Sequence, residues 1–132
     1  MDPATAMFYR DHASRLLGIK LLEVGAGAAR AQLRVTSELI NGHGTVHGGI
    51  VFLLADTAFG CACNGESVEE QHTIASASIE YLRPAHVGDV LVADARRRSR
   101  QGRSGVYDVT VTHDHDVIAE FRGRSHRRRQ NP

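Results

Sequence analysis

The sequence predicts an α+β fold in which an antiparallel β-sheet of about six strands wraps around one long central helix. Residues 48–64 are apolar on nearly every side, which is typical of a buried helix. Two β-type segments precede this helix and four follow it, an order that favours an antiparallel sheet over alternating βαβ units. The chain has 132 residues, of which 42% are hydrophobic, so we expect one domain over residues 1–132.

The first elements are a short helix and a hairpin. Apolar residues at near-helical spacing predict a helix over residues 5–17, with Gly18 as the residue that ends it. Short β-type runs at residues 19–24 and 28–35 flank Gly25-Ala26-Gly27. This arrangement is typical of two strands joined by a tight turn.

A polar loop and the rest of the sheet complete the chain. Residues 36–47 are polar and contain glycine, and they predict a loop that leads into the buried helix. After a polar patch at residues 65–71, β-type runs alternate with turn residues. We expect residues 1–7 and 127–132 to be flexible termini. The four later strands are predicted at residues 73–82, 89–97, 106–113 and 117–124.

The buried helix also predicts an assembly. One sheet of about six strands cannot enclose a helix that is apolar on every side. The uncovered part of the helix and the outer strand would then be covered by a second copy of the chain. We therefore expect a homo-oligomer.

Composition argues against membrane and nucleic-acid binding. The longest unbroken apolar stretch, Ile50–Ala55, has six residues, whereas a membrane span needs roughly 20. The sequence begins without the basic and apolar regions of a secretory signal, so we expect a cytoplasmic protein. Trp is absent and only 5% of residues are aromatic, which leaves few side chains on which nucleic-acid bases stack.

The charges are unevenly distributed along the chain. Residues 1–82 carry 5 basic and 9 acidic side chains, whereas residues 83–132 carry 11 basic and 6 acidic ones. A basic half attracts negatively charged groups. We therefore expect an anionic partner or substrate.

The cysteines and histidines do not predict a metal site. Cys61 and Cys63 lie two positions apart and would point to nearly opposite sides of a helix. We interpret them as small buried hydrophobes, since two thiols form neither a disulfide framework nor a zinc site. His43 and His47 are four positions apart, but no third ligand is apparent, and we expect no metal.

Asp56 is the anomaly of the predicted buried helix. Its neighbours three positions away on either side are Leu53 and Phe59, so it has no polar face. Burying a carboxylate costs several kcal/mol unless it is paired, hydrogen-bonded or open to a cavity. Asp56 therefore either carries out chemistry or has a structural role, such as capping a kinked helical segment.

The start of the same helix, His47-Gly48-Gly49, has the features of an anion site. A helix N-terminus presents free N–H groups and attracts negative charge. Glycine lets a ligand approach the backbone closely. An oxyanion hole for acyl transfer needs these properties, although a glycine pair at this point is also consistent with a simple turn.

An amide at Gly48 and a carboxylate at Asp56 are together the parts needed to hydrolyse an activated acyl group. Eight residues of helix separate them by roughly 12 Å, whereas both must lie within about 3 Å of the reacting carbonyl or its attacking water. Two antiparallel copies of the helix, related by a two-fold axis, would bring Gly48 of one subunit towards Asp56 of the other. The sequence thus predicts a site shared between subunits.

Seven short motifs follow one another along the chain: Asn41-Gly42-His43, His47-Gly48-Gly49, Leu54-Ala55-Asp56-Thr57-Ala58-Phe59, Tyr81-Leu82-Arg83-Pro84, Gly88-Asp89, Gly105-Val106-Tyr107-Asp108 and Phe121-Arg122-Gly123. In this order and spacing they closely resemble the hotdog-fold acyl-CoA thioesterases of the phenylacetate-pathway (PaaI) type, over about residues 8–126. The resemblance implies the hotdog fold, dimers with active sites at the interface that commonly form tetramers, and hydrolysis of acyl-CoA without metal.

By position, the resemblance implies catalytic roles for four residues. Asp56 matches the family's catalytic carboxylate, which either activates water or attacks the thioester carbonyl. Gly48 matches the glycine whose amide polarises that carbonyl, Asn41 the side-chain amide that helps hold the water, and His47 the histidine beside the oxyanion site. Asp rather than Glu at position 56 favours the phenylacetyl-type branch. No cofactor is implied besides the coenzyme A of the substrate.

Residues 96–103 form the densest basic patch. The patch is consistent with a solvated strand end and turn, with contacts to the phosphates of coenzyme A, or with nucleic acid. Strand alternation would point Arg96 and Arg98 to one face and Arg97 to the other, so one phosphate cannot engage all of them. The predicted substrate-binding set is Gly49, Thr57, Arg97, Arg98 and Arg100.

The predicted function is hydrolysis of phenylacetyl-CoA, hydroxyphenylacetyl-CoA or related aryl and medium-chain thioesters, in phenylacetate degradation, by a homodimer that assembles into a homotetramer. The alternative is a non-catalytic acyl-CoA-binding hotdog module, against which the acid at Asp56 argues. A hotdog hydratase would pair its aspartate with a histidine a few residues on, and no His follows Asp56 before His72. We expect neither a nucleic-acid nor a membrane partner.

Overall fold

The computed structural model describes residues 1–66 and 71–128. Helices α1 (Pro3–Tyr9), α2 (His12–Leu16) and α3 (Gly48–Cys63) accompany strands β1 (Lys20–Gly25), β2 (Ala28–Arg34), β3 (His72–Tyr81), β4 (Val90–Gln101), β5 (Ser104–His113) and β6 (Asp116–Arg127). The strands form one sheet in the order β1-β2-β4-β5-β6-β3, and all neighbours are antiparallel. The predicted α+β fold, a six-stranded antiparallel sheet around a long helix, is confirmed.

Helix α3 occupies the segment that the sequence predicts as the buried helix. Ala and Leu, which are strong helix formers, supply much of its length. One side, which includes Leu54, Ala55 and Ala58, is fully buried, and α3 packs mainly on β2, β4 and β5. The other side, which includes Leu53 and Asp56, is partly exposed. A single chain therefore does not enclose the helix on all sides.

Three hairpins in the described part of the chain close with two-residue turns, and the turns of the β1–β2 and β4–β5 hairpins contain glycine. β1 and β2 meet at Ala26-Gly27, where Gly27 has a φ of +68°. β4 and β5 meet at Gly102-Arg103, where Gly102 has a φ of +58°. A side chain is strained at such angles, so both turns favour glycine.

Strands β4 and β5 are longer than predicted. The sequence predicts strands over residues 89–97 and 106–113, whereas β4 continues to Gln101 and β5 begins at Ser104. The apolar alternation ends at Ala95, but the two strands remain paired up to the turn. The arginine-rich segment is therefore mainly strand, because backbone hydrogen bonds continue where apolar burial stops.

The N-terminal segment forms two short helices rather than the single predicted helix over residues 5–17. Asp2 caps α1 by accepting a hydrogen bond from the N–H of Thr5 at 2.8 Å. Asp11 caps α2 by accepting one from the N–H of Ser14 at 3.0 Å. The second N-cap residue starts a new helix and changes the direction of the chain.

The two termini are more structured than predicted. Residues 1–7 are predicted to be flexible, but α1 begins at residue 3 and Ala4 is fully buried. At the other end, β6 continues to Arg127, the first residue of the predicted tail. Residues 129–132 of that tail, and residues 67–70 of the predicted polar patch, lie outside the described residues.

The edges of the sheet are β1 and β3. Most of β3 is exposed, including Ile74 and Tyr81, whose exposed fractions are 46% and 53%. An exposed edge strand offers unpaired backbone groups to another chain.

No helix in the described part of the chain has the length and apolar character of a membrane span.

Candidate active site

A cleft of about 320 Å³ opens at the N-terminal end of α3. Asn41 and Gly48 lie on one side of it, and the segment Tyr81-Leu82-Arg83-Pro84 lies on another. We refer to this space as the amide cleft. It brings together two of the predicted catalytic residues from neighbouring parts of the sequence.

The amide of Gly48 is free to bind a ligand. His47 caps α3, and its Nδ1 atom accepts a hydrogen bond from the N–H of Gly49 at 3.1 Å. Within residues 1–66 and 71–128, the N–H of Gly48 has no hydrogen-bond partner. The positive end of the helix dipole reinforces this donor. The cap therefore uses His47 and Gly49 and leaves Gly48 available to an oxygen that becomes negative.

Asn41 shapes the loop before α3 and also presents a free donor. Its Oδ1 atom accepts hydrogen bonds from the N–H of His43 at 2.9 Å and from the N–H and hydroxyl of Thr45 at 3.2 and 3.3 Å. These bonds hold the loop in an Asx-type turn. In the described part of the chain, the Asn41 side-chain NH₂ group has no partner. Asn41 thus combines a structural acceptor with a donor at the amide cleft.

Tyr81 is a site residue to which the sequence assigned no role. Its hydroxyl donates a hydrogen bond to the carbonyl of Gly48 at 2.8 Å. A Cβ atom on Gly48 would lie 3.2 Å from the Tyr81 ring, so the close contact itself favours glycine at position 48. The two residues are 33 positions apart. In the sequence, the one signal for this pair is that each residue belongs to one of the seven motifs.

A second and larger cleft, of about 530 Å³, lies beside Asp56. We refer to it as the acid cleft. The N-terminal helices, α3 and the start of β3 all contribute to its walls. Its apolar lining includes Met7, Phe8, Leu53, Phe59 and Ile74.

The Asp56 carboxylate is partly buried and has no polar partner in the described residues. Burial raises the pKa of Asp56, and the negative charge of Asp11 raises this pKa further. Helix α3 runs unbroken through position 56, so Asp56 does not cap a second helical segment. A desolvated carboxylate without a hydrogen-bond donor is a stronger base than an exposed one.

The hydroxyl of Thr57 is used inside the protein. Thr57 is 7% exposed, and its Oγ1 lies 2.8 Å from the Oγ of Ser14. The Ser14 hydroxyl donates its proton to the Asp11 carboxylate at 2.6 Å. Since a hydroxyl has one proton, Thr57 must donate to Ser14. The structure thus gives this predicted substrate-binding residue an internal partner, although it lines the acid cleft.

Gly48 and Asp56 face different clefts on the same helix. Asn41 and Gly48 line the amide cleft, Asp56 and Thr57 line the acid cleft, and no described residue lines both. One chain therefore does not bring the free amide to the free carboxylate. The predicted sharing of the site between subunits stays a prediction.

The predicted phosphate-binding arginines lie away from both clefts and have carboxylate neighbours. Arg97 and Arg100 lie 2.7 and 3.7 Å from the Glu66 carboxylate, and Arg98 lies 3.3 Å from that of Asp108. Partly exposed ion pairs of this kind contribute little to stability. A phosphate can replace a carboxylate at a guanidinium group, so these arginines stay a prediction for substrate binding.

The cysteines are buried, in agreement with their interpretation as small hydrophobes. Burial raises the pKa of Cys61 and Cys63 to about 12, so both thiols are neutral near pH 7. No group of three or more His, Cys, Asp or Glu side chains in the described residues is arranged to hold a metal ion. The expectation that no metal takes part stays a prediction.

The structure has a sheet around one long helix, with the Gly48 amide at the start of the helix and the partly buried Asp56 carboxylate in its middle. This is the arrangement that the resemblance to hotdog-fold thioesterases implies. The model of the thioesterase superfamily matches residues 43–120. Acyl-coenzyme A thioesterase PaaI of Escherichia coli is 40% identical over 126 residues, which cover 94% of this chain and 88% of that protein. The chain belongs to the thioesterase superfamily, and it is a thioester hydrolase.

Two solved structures show the same fold. The PaaI protein from the phenylacetic acid degradation operon of E. coli superposes with a TM-score of 0.92 and 37% identity, over 98% of this chain and 93% of that one. A mutant of the phenylacetic acid degradation protein PaaI from Thermus thermophilus has a TM-score of 0.84 and 30% identity, over 88% and 98%. The hotdog fold that the resemblance implies is confirmed.

Proposed function

We propose that this protein hydrolyses acyl-CoA thioesters to the free acid and coenzyme A. Two groups on α3 carry the proposal: the N–H of Gly48 and the carboxylate of Asp56, neither of which has a hydrogen-bond partner within residues 1–66 and 71–128. The first is a donor for the oxygen of a thioester carbonyl, and the second is a base or nucleophile for its carbon. The similarity to acyl-coenzyme A thioesterase PaaI supports coenzyme A as the thiol.

The reaction follows from these two groups. The carbonyl oxygen of the thioester accepts a hydrogen bond from the Gly48 N–H, and negative charge develops on that oxygen as the carbon is attacked. Asp56 of a second subunit either takes a proton from the attacking water or attacks the carbon itself. The C–S bond then breaks. On the water route, the proton taken up by Asp56 passes to the departing sulfur, and coenzyme A leaves as the thiol. On the nucleophilic route, coenzyme A leaves as the thiolate and an acyl-aspartyl anhydride forms; water then hydrolyses the anhydride to the free acid and Asp56, and a proton released from that water converts the thiolate to the thiol. In this proposal, the side-chain NH₂ of Asn41, which lines the amide cleft, helps to hold the attacking water.

The lining and volume of the acid cleft favour an aryl or medium-chain group as the acyl part of the substrate. Its walls are largely apolar and include Met7, Phe59 and Ile74. A volume of about 530 Å³ is in the range of pockets that hold small organic ligands. Phenylacetyl and hydroxyphenylacetyl groups fit this description, and the similarity to a protein of the phenylacetic acid degradation operon supports a role in that pathway.

We propose a homodimer with two shared sites that assembles into a homotetramer. The partly exposed side of α3 and the exposed edge strand β3 support this arrangement, because one chain leaves both uncovered. In the proposed dimer, a two-fold axis crosses these surfaces, and the amide cleft of one subunit faces the acid cleft of the other. No metal or cofactor has a role in this reaction, and activity that persists in excess chelator is the expected result. A cytoplasmic location stays a prediction.

The test is a panel of CoA thioesters assayed for release of free thiol. Phenylacetyl-CoA, hydroxyphenylacetyl-CoA, benzoyl-CoA and straight-chain acyl-CoA of increasing length are compared by kcat/KM, with the Asp56→Asn variant as the control for background hydrolysis. Aryl or medium-chain thioesters should be preferred. Tight binding of these thioesters without turnover by the wild-type protein would instead establish the non-catalytic acyl-CoA-binding module.

A further inference from the structure

A chain of hydrogen bonds connects the N-terminal helices to α3 beside Asp56. The Asp11 carboxylate accepts bonds from both the N–H and the hydroxyl of Ser14, at 3.0 and 2.6 Å. Ser14 in turn accepts the proton of Thr57, at 2.8 Å. Ser14 is 0% exposed and Thr57 is 7% exposed. A fully satisfied polar chain in a buried position is strong and directional.

The chain of hydrogen bonds ends at Asp11, whose two carboxylate oxygens both act as acceptors. Asp11 also lines the acid cleft together with Asp56. The structure therefore holds a second carboxylate at the cleft of the proposed reaction. That carboxylate is connected through Ser14 to Thr57, the residue that follows Asp56.

We propose that Asp11 is a positioning residue for Asp56: through Ser14 and Thr57 it clamps the N-terminal helices onto α3, and it keeps a second carboxylate at the acid cleft. This inference rests on the proposed function for its catalytic consequence. Asp11 itself does not touch the reacting atoms. It acts by closing one wall of the cleft and by making Asp56 harder to ionise.

The other titratable groups around Asp56 are Arg10 before α2, His72 at the start of β3, and Cys61 and Cys63 on α3 itself. The two thiols are neutral near pH 7, because burial raises the pKa of each to about 12. Asp11 is the neighbouring charge that raises the pKa of Asp56, in addition to burial. A carboxylate with a higher pKa takes a proton more readily, so the second charge strengthens Asp56 as a base or nucleophile.

The first test measures Asp56 directly and needs no substrate. The side-chain carboxyl carbon of Asp56 is followed by ¹³C NMR as a function of pH in the wild-type protein and in Asp11→Asn, with Asp56→Asn to assign the signal. Asn is as good an N-cap as Asp, so Asp11→Asn keeps the cap on α2. It removes the charge and puts an NH₂ donor where one carboxylate oxygen accepts the Ser14 hydroxyl. The pKa of Asp56 should fall in Asp11→Asn, and an unchanged value would overturn the proposal.

Asp2 offers a matched control. It caps α1 as Asp11 caps α2, by accepting hydrogen bonds from the N–H and hydroxyl of Thr5, but it does not line the acid cleft. Asp2→Asn should leave the titration of Asp56 as it is in the wild-type protein. An equal shift in both variants would show that loss of any N-terminal charge is sufficient, and it would reject the specific role of Asp11.

The second test separates positioning from substrate binding. Thr57→Val keeps the volume but cannot donate to Ser14, and it should lower kcat by roughly tenfold or more with little change in KM, because small displacements of a reacting group are costly. Thr57→Ser keeps the hydroxyl and should restore kcat. A rise in KM alone would return Thr57 to the substrate-binding set and overturn the clamp.

The kinetic test also includes the pH dependence. The acid limb of kcat/KM should move to lower pH in Asp11→Asn, because the pKa of Asp56 falls when the neighbouring charge is removed. A wild-type protein that hydrolyses no thioester in the panel would refute the proposed function, whereas the NMR comparison would still decide whether Asp11 acts on the titration of Asp56. An active wild-type protein with an unmoved acid limb would refute this effect of Asp11 and leave the proposed function intact.

Discussion

The amide cleft and the acid cleft lie on the same helix but are built in different ways. The polar groups of the amide cleft are placed largely by neighbours in the sequence: Asn41 bonds to its own loop, and His47 caps the helix that begins at Gly48. The acid cleft is assembled from distant segments, and Thr57 is held by Ser14, 43 positions away. The first cleft presents the N–H of Gly48, and the second presents the carboxylate of Asp56.

This difference shows why neither cleft is sufficient for hydrolysis. A free amide polarises a carbonyl but cannot attack it, and a carboxylate cannot itself stabilise the oxyanion that its attack creates. Since α3 is rigid and the two groups face different clefts, a second copy of the chain is the simplest source of the missing half. The predictions below test the two clefts separately and then together.

The largest effect is expected at the acid cleft. Asp56→Asn keeps the volume of the side chain but removes the base or nucleophile, and it should lower kcat by at least roughly 10². Steady-state kinetics on a purified variant with a wild-type circular-dichroism spectrum measure this effect. A near-normal kcat would mean that the acid cleft has only a structural role.

Mixing inactive variants tests whether the clefts cooperate across subunits. Gly48→Pro removes the free N–H of the amide cleft, and proline is tolerated at the first position of a helix. Random exchange of Asp56→Asn with Gly48→Pro subunits should restore about a quarter of wild-type activity, since half of the dimers then contain one intact site.

The control for this mixture is Gly48→Ala, which keeps the N–H but places a Cβ against the Tyr81 ring. If Gly48→Ala is as inactive as Gly48→Pro, crowding rather than loss of the amide explains the defect. If subunit exchange is demonstrated and the mixture stays inactive, the shared-site geometry is wrong.

Asn41 separates the structural and chemical parts of the amide cleft. Asn41→Asp keeps an oxygen to accept the bonds from His43 and Thr45 but replaces the free NH₂ donor with an acceptor. We expect kcat to fall by on the order of tenfold or more, while the melting temperature stays close to that of the wild-type protein. A large loss of stability with unchanged kcat would show that Asn41 serves only the loop.

The coenzyme A phosphates are expected to contribute less. Replacement of Arg97, Arg98 and Arg100 with Ala should raise KM for acyl-CoA severalfold and change kcat little, because contacts remote from the thioester bind substrate and transition state alike. The same acyl group on an uncharged pantetheine-like thiol is the control substrate. An equal loss on both substrates would show that these arginines form a solvated face.

The smallest effect is a pH-dependent change in stability. The pKa of Asp56 is raised in the folded state, so its protonated form is favoured by folding, and this contribution is lost as pH rises through the folded pKa. Asp56→Asn should therefore be more stable than the wild-type protein near neutral pH, and the difference should shrink in acid. Thermal unfolding at several pH values measures it; a difference independent of pH would mean that burial does not penalise the charge.

Local pattern was sufficient to predict the helix, the hairpins and the anomaly at Asp56. Helical and strand periodicity, glycine turns and a carboxylate in an apolar helix are all properties of residues close in sequence. The bounds of α3 and the position of Gly48 at its start were predictable for this reason. The roles assigned to Asn41 and His47 came from the motifs that resemble a known family, and their chemistry awaits the tests above.

Tertiary structure decided the contacts between distant residues. The bond of Tyr81 to Gly48 joins residues 33 positions apart, and the pair of Arg97 with Glu66 joins residues 31 positions apart. No local pattern predicts such partners, because they depend on where the sheet meets the helix and the loops. The clamp from Asp11 to α3 has the same origin: a polar residue near the N-terminus acquires its role only when folding buries it against the helix.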